Sequence, residues 1–205
     1  MKKGEVAEAP IYIEGMISEA TAIHTAYPEY LAREIRDQIL HQDVNPFQSE
    51  YFTIVNHPSE REEITSGGPC IIMATSGMLE GGPALDYFRY IAPNPENSII
   101  FVSYQIEGTL GSRIKNGLKE VSLPAPGGKV ELVRVEADVQ MVEGFSGHSD
   151  RSQLLGFLKK ITPKPSRVIV VHGERRKCDS LANVINRTFK VKAIAPEIND
   201  GIRLR

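Results

Sequence analysis

Two histidines stand in segments that could do chemistry: Gly144-Phe145-Ser146-Gly147-His148-Ser149-Asp150 and Val168-Ile169-Val170-Val171-His172-Gly173-Glu174. Each reads as an imidazole placed where a strand gives way to a loop. The apolar run from Val168 to Val171 predicts a strand covered on both faces. The C-terminal edge of such strands is where open α/β sheets place their reactive groups. A helix between the two segments lets both strands end on one edge. Two imidazoles at one edge suit metal ligation or proton transfer. Against this stands the plainer reading, in which a histidine after a strand is a hydrogen-bonded or solvated structural residue. Asp150 and Ser149 read as N-cap residues for a helix carrying Leu154, Leu155 and Leu158, which would hold the His148 loop rigid.

The elements that must position these groups form alternating strands and helices. Pro10 to Glu14 predicts a strand, Ala20 to Gln42 helical segments broken near Pro28, and Phe52 to Val55 a second strand. A helix through Glu60 to Ile64 leads to the apolar strand Cys70 to Thr75, which turns through Ser76-Gly77 into a helix with Leu85, Phe88 and Ile91. The same order follows in Ser98 to Tyr104, the turn Glu107 to Gly111 and a helix around Arg113 to Leu118. Strand, glycine turn and helix repeated in this way predict an α/β fold. Pro124 to Lys129 reads as a loop, and Val130, Leu132, Val133 and Val135 as an extended strand after it. A strand to His172, a helix from Ser180 to Phe189 facing the sheet through Leu181, Val184 and Ile185, and a strand Val191 to Ala195 complete the chain.

The two glycine turns are candidate phosphate sites, because helix N-termini present unpaired amides and a partial positive charge. Ser76, Gly77 and Thr109 are the candidate contacts, with Arg113 as the candidate cation. Neither turn is a Walker loop or dinucleotide fingerprint, and glycines that merely let strands pass tightly into helices explain them equally. Arg175, Arg176 and Lys177 read as a solvated helix face.

With 41% hydrophobic and 24% charged residues, 205 residues suffice for one or two globular domains. A net charge of −2 excludes binding of nucleic acid through overall charge, so any RNA contact is local. No apolar run has the roughly 20 residues needed to span a bilayer, and Met1-Lys2-Lys3-Gly4-Glu5 lacks a signal peptide's apolar stretch. A cytoplasmic protein without membrane contact is expected. Cys70 and Cys178 have no paired spacing and read as reduced thiols.

Six stretches in order resemble the β-CASP ribonucleases of the metallo-β-lactamase superfamily, especially the archaeal relatives of the cleavage and polyadenylation specificity factor. They are Gly15-Met16-Ile17 to Tyr30, Ala74-Thr75-Ser76-Gly77-Met78-Leu79, Ser103-Tyr104-Gln105 to Gly111, both histidine motifs, and Ile202-Arg203-Leu204-Arg205. The resemblance implies a β-CASP α/β domain, with a parallel sheet flanked by helices, over 1–138. The C-terminal part of a metallo-β-lactamase fold follows over 139–205. It implies that His148 acts as general acid or orients the leaving group and that His172 ligates zinc, two ions serving the whole enzyme. It also implies single-stranded RNA as substrate, RNA 3′-end processing by phosphodiester hydrolysis, and a homodimer through the C-terminal region.

The family's His-x-His-x-Asp-His cluster has no counterpart in this sequence, and neither does the acidic partner of the His148-type residue. His24, His41 and His57 stand outside any such motif and read as structural. A catalytic zinc needs three protein ligands, so the chain is expected to be a fragment that is inactive and retains no zinc by itself. The alternative is a non-catalytic RNA-binding or dimerisation module of a processing complex.

Overall fold

The computed structural model describes residues 7–145 and 147–204. The opening Met1 to Glu5, Ser146 of the first histidine motif and Arg205 of the tail lie outside the described residues. The chain is α/β, with parallel strand pairs and flanking helices, and it divides into two compact units, Met1–Ser146 and Gly147–Arg205.

In the first unit β1 (Ile11–Glu14) lies between β2 (Phe52–Ile54) and β3 (Ile71–Ala74), parallel to both, with Ile11 level with Phe52 and Ile71. The crossover from β1 to β2 runs through α1 (Ile17–Ala26), a 3₁₀ turn at Pro28–Tyr30 and α2 (Arg33–His41). The break falls at Pro28, whose fixed φ and missing N–H suit the first position of a new turn. α3 (Glu60–Ser66) joins β2 to β3. The two expected strand–turn–helix crossovers are present: β3 passes into α4 (Pro83–Ile91), and β4 (Ser98–Phe101) into α5 (Leu110–Lys115). β4 pairs in parallel with β7 (Asp138–Met141).

Between α5 and β7 the chain makes an antiparallel hairpin of β5 (Glu120–Ala125) and β6 (Lys129–Arg134). The expected loop from Pro124 to Lys129 is thus narrower, confined to a turn at Pro126–Gly128. Pro124 sits opposite Val130, tolerated because a two-stranded sheet consists of edges that need not use every N–H. Inward residues of the hairpin, Val121, Leu123 and Val133, join Leu79, Phe88, Ala92, Phe101 and Ile114 in one core.

The second unit contains α6 (Arg151–Lys160), β8 (Arg167–Ile169), α7 (Arg175–Phe189) and β9 (Lys192–Ile194), with β8 and β9 parallel. Its core is Ala182, Ile185 and Ala193, against which Leu155, Leu158, Val168, Val170, Leu181 and Phe189 pack. Three expectations are corrected here. The run Val168 to Val171 is covered on one face only: Val168 and Val170 meet the core, while Ile169 is 39% and Val171 57% exposed. The strand before the His148 motif and the strand before His172 belong to different sheets, since β7 pairs with β4 and β8 with β9. His148 does not end a strand either, because β7 stops at Met141 and an irregular segment follows. Among the described residues no helix is long and apolar enough to cross a membrane.

Candidate functional site

The C-terminal edge of the parallel strands in the first unit is built from tightly locked turns. The Met16 amide donates to Thr75 Oγ1 at 3.3 Å. Gly15 has a φ of +87°, and a Cβ there would lie 2.2 Å from that hydroxyl, so the β1 exit needs glycine on both counts. Ser76 Oγ accepts from the Glu80 amide at 3.1 Å, closing the turn after β3.

The two glycine turns singled out by the sequence are brought together. The Gln105 side-chain amide donates to Gly77 O at 2.9 Å and to Ser103 O at 3.0 Å. The Gly111 amide donates to Met78 O at 2.9 Å, and the Leu110 amide to Glu80 Oε1 at 2.7 Å. Ser76, Gly77, Thr109 and Arg113 therefore share one locked corner. The same bonds occupy the amides that a phosphate would use: Ser112 N donates to the Thr109 hydroxyl at 3.3 Å, and Arg113 N to Thr109 O at 3.1 Å. At α5 the helix N-terminus is thus satisfied within the protein. What the corner presents outward is the exposed Arg113, which has no ion-pair partner among the described residues. Gln105 and Glu80, which hold the corner, were not legible as functional positions, since a buried glutamine after a strand carries no spacing signal.

At this edge lies a charge cluster in which Glu14 and Arg61 are largely buried and Asp86 is half exposed. Arg61 donates from Nε to both oxygens of Glu14 at 3.1 Å and reaches Asp86 through a terminal nitrogen. Its guanidinium also stands 5.8 Å from the centre of the Tyr87 ring. Burial alone would raise the Glu14 carboxyl, but hydrogen bonds from Arg61, the Tyr87 hydroxyl beside it and the guanidinium charge hold it below the ordinary range. Burial and the neighbouring Glu14 push the Tyr87 hydroxyl well above its ordinary value.

In the second unit His148 is exposed, in the segment that enters α6. Asp150 is the N-cap, as its position predicted. Its Oδ1 accepts from Gln153 N at 2.8 Å and Ser152 Oγ at 2.7 Å, while Gln153 Oε1 accepts from Asp150 N at 2.9 Å, a complete capping box. These donors, the Gln153 amide foremost, lower the Asp150 carboxyl below its usual range. His172 is exposed beyond β8 with φ +62°, a left-handed conformation that for a non-glycine residue is held by its surroundings. Gly173 follows under Cys178, where a Cβ would meet Sγ at 2.8 Å. Arg175 pairs with Asp179 at 2.8 Å and Glu197 at 3.0 Å, and Lys177 with Glu174 at 3.2 Å, in keeping with a solvated helix face. Among the described residues no three of the His, Cys, Asp or Glu side chains lie together in a group that could hold a metal ion. His24 stacks on Phe47 at 5.3 Å between ring centres, a structural contact.

The sequence profile of the Beta-Casp domain matches residues 1–114. The profile of the Zn-dependent metallo-hydrolase RNA specificity domain matches residues 132–196, a span that includes both histidines. A protein of Cenarchaeum symbiosum named transcription termination factor FttA is 56% identical over 205 residues, covering 100% of this chain and 32% of its own length. Proteins of the same name from Thermococcus kodakarensis and Pyrococcus abyssi are 50% and 52% identical, each covering 97% of this chain and 31% of their own. The chain thus spans about a third of the length of the curated relatives it matches.

Proposed function

Because the chain belongs to the Beta-Casp family, we propose that it is the RNA-holding and C-terminal portion of a longer zinc-dependent ribonuclease that generates RNA 3′ ends. The relatives bear the name of transcription termination factors, and a cut that releases an RNA 3′ end serves termination as well as 3′-end processing. Such a factor works on transcripts in the cytoplasm. The observation that carries this reading is the pair of exposed histidines inside the span matched by the RNA specificity profile. His172 stands in the left-handed turn after β8, and His148 lies two residues before the Asp150 capping box.

In this reading His148 donates a proton to the departing ribose oxygen, whose expulsion as a bare alkoxide is slow. His172 supplies one zinc ligand. The described residues do not complete a metal site, so the other ligands come from the remainder of the longer protein. Arg113, on the corner that also carries Ser76, Gly77 and Thr109, contacts the RNA backbone. Residues 1–138 form the β-CASP part and 139–205 the returning metallo-β-lactamase part. The exposed Ile198 and Leu204 of the C-terminal segment, 93% and 72% accessible, serve a homodimer contact.

The test is cleavage of a labelled single-stranded RNA with added zinc by this chain and by the full-length protein, each with and without His172→Ala. Activity confined to the unmutated full-length protein supports the reading. RNA binding without cleavage by the full-length protein converts the chain to a binding module.

A further inference from the structure

In the first unit α1 presents its apolar residues the wrong way round for a surface helix, which ordinarily turns its apolar stripe toward the core. The half-buried positions of α1 are Ile17, Ser18, Thr21 and Thr25, and none of its residues is fully buried. Three of those four inward residues carry hydroxyls. Met16, Ala20, Ile23 and Tyr27 recur at i, i+4, i+7 and i+11 and so share one side of the helix. That side faces outward, with Met16 72%, Ile23 60% and Tyr27 54% exposed. The Tyr30 ring, 6.5 Å from that of Tyr27, prolongs the stripe past the helix end. Beneath α1, Ser18 and Thr21 line a groove with Ile13 and Ile54. Ile54 and Met73 stand level with Ile13 on either side of β1. Ile13 is 5% exposed, but Ile54 is 53% and Met73 42%. α1 thus covers the central strand and leaves the flanking strands open.

We infer that the outer side of α1 and the strand flanks beside it form an internal docking face. Its occupant is an apolar-faced helix from the part of the longer polypeptide outside this chain. Area and length identify that occupant. A protein of 22.7 kDa exposes roughly 9,500 Å² when folded as one compact body, and roughly 11,000 Å² when divided into two. This chain exposes 14940 Å². The excess is several times the roughly 800 Å² per partner that a standard interface hides. It exceeds what one contact with a second copy covers, and is of the size that neighbouring layers of a single polypeptide bury. The chain spans 32% and 31% of the length of the relatives it matches, so about two thirds of such a protein lies outside it. A helix fits the stripe because side-chain ridges on one helix seat in the grooves of another, whereas α1 offers a strand no backbone groups to pair with. The inference rests on the proposed function only in taking this chain as a portion of a longer protein.

The experiment measures maleimide labelling of the thiol introduced by Ile23→Cys or, separately, Tyr27→Cys, in this chain and in the full-length protein. Peptide mass spectrometry reads each site by itself, so Cys70 and Cys178 do not interfere. Both replaced side chains are more than half exposed, and urea unfolding checks that the variants of this chain keep its stability. Labelling at both positions is expected to be about tenfold or more slower in the full-length protein than in this chain, since reactivity follows exposure, and to be so at every protein concentration. Equal rates in the two proteins overturn the inference and leave the action on RNA standing. Protection that is lost on dilution also overturns it, because the cover is then a second copy. Protection in a full-length protein that neither binds nor cuts RNA upholds the docking face and removes the nuclease reading.

Discussion

Glu14 shows how a carboxylate is kept at the edge of an apolar sheet. It is 8% exposed, and its charge is tolerated because Arg61 matches both of its oxygens. Its folded-state pKa lies below the ordinary 4.5, so the stabilisation is present above about pH 4.5 and is lost as pH falls through the folded value. Glu14→Gln leaves the Arg61 guanidinium with Asp86 alone. We expect it to cost about 3 kcal/mol at pH 7 and to flatten the acid limb of stability, both read by urea unfolding at several pH values. At Asp150 the expected result is graded. Asp150→Ala lowers the unfolding midpoint of the second unit, while Asp150→Ser and Asp150→Asn keep most of it, because any short acceptor caps α6. Asp150 was legible because capping is a local matter of residue type and position. The Glu14–Arg61 pair was not, since its partners stand 47 positions apart and nothing in either neighbourhood signals the other.

At the scale of elements, the alternation of strand, glycine turn and helix was readable because each step has its own periodicity and punctuation. What the pattern could not convey was which faces are covered. Cys70 to Thr75 and Val168 to Val171 are apolar throughout, yet Ile71, Met73, Ile169 and Val171 are 39–57% exposed, because an apolar run specifies a strand without specifying what lies on each side. The joining of the two glycine turns was equally hidden, as it depends on Gln105 reaching across to Gly77. The turns also differ in tolerance. A Cβ at Gly111 would stand 2.0 Å from Gln105 Oε1 and 3.0 Å from Met78 O, and Gln105 is held by two other bonds. At Gly77 the close neighbour is only the Ser103 hydroxyl, at 2.9 Å, which can rotate away. Gly111→Ala is therefore expected to destabilise the first unit by roughly 1–3 kcal/mol and Gly77→Ala by clearly less, measured as the difference in unfolding midpoints.

For the whole molecule the question is whether the chain can hold the metal that its family implies. A ligand that binds only the folded state raises stability by RT ln(1 + [L]/Kd), about 2.7 kcal/mol when present at a hundred times Kd. A complete zinc site would therefore announce itself as a melting temperature that rises with zinc and falls with chelator. His172 is well presented for ligation, exposed and fixed by its left-handed turn, but one imidazole falls short of the three protein ligands of a catalytic zinc. The described residues bring no further two beside it. The 205-residue chain is thus expected to melt at the same temperature with zinc or with EDTA, whereas the full-length protein is stabilised by zinc and loses part of that gain on His172→Ala. Differential scanning fluorimetry of the four combinations decides it. A zinc-dependent shift in the short chain would mean that it assembles a site from its own residues, and the division of the metal centre between this span and the rest of the protein would have to be abandoned.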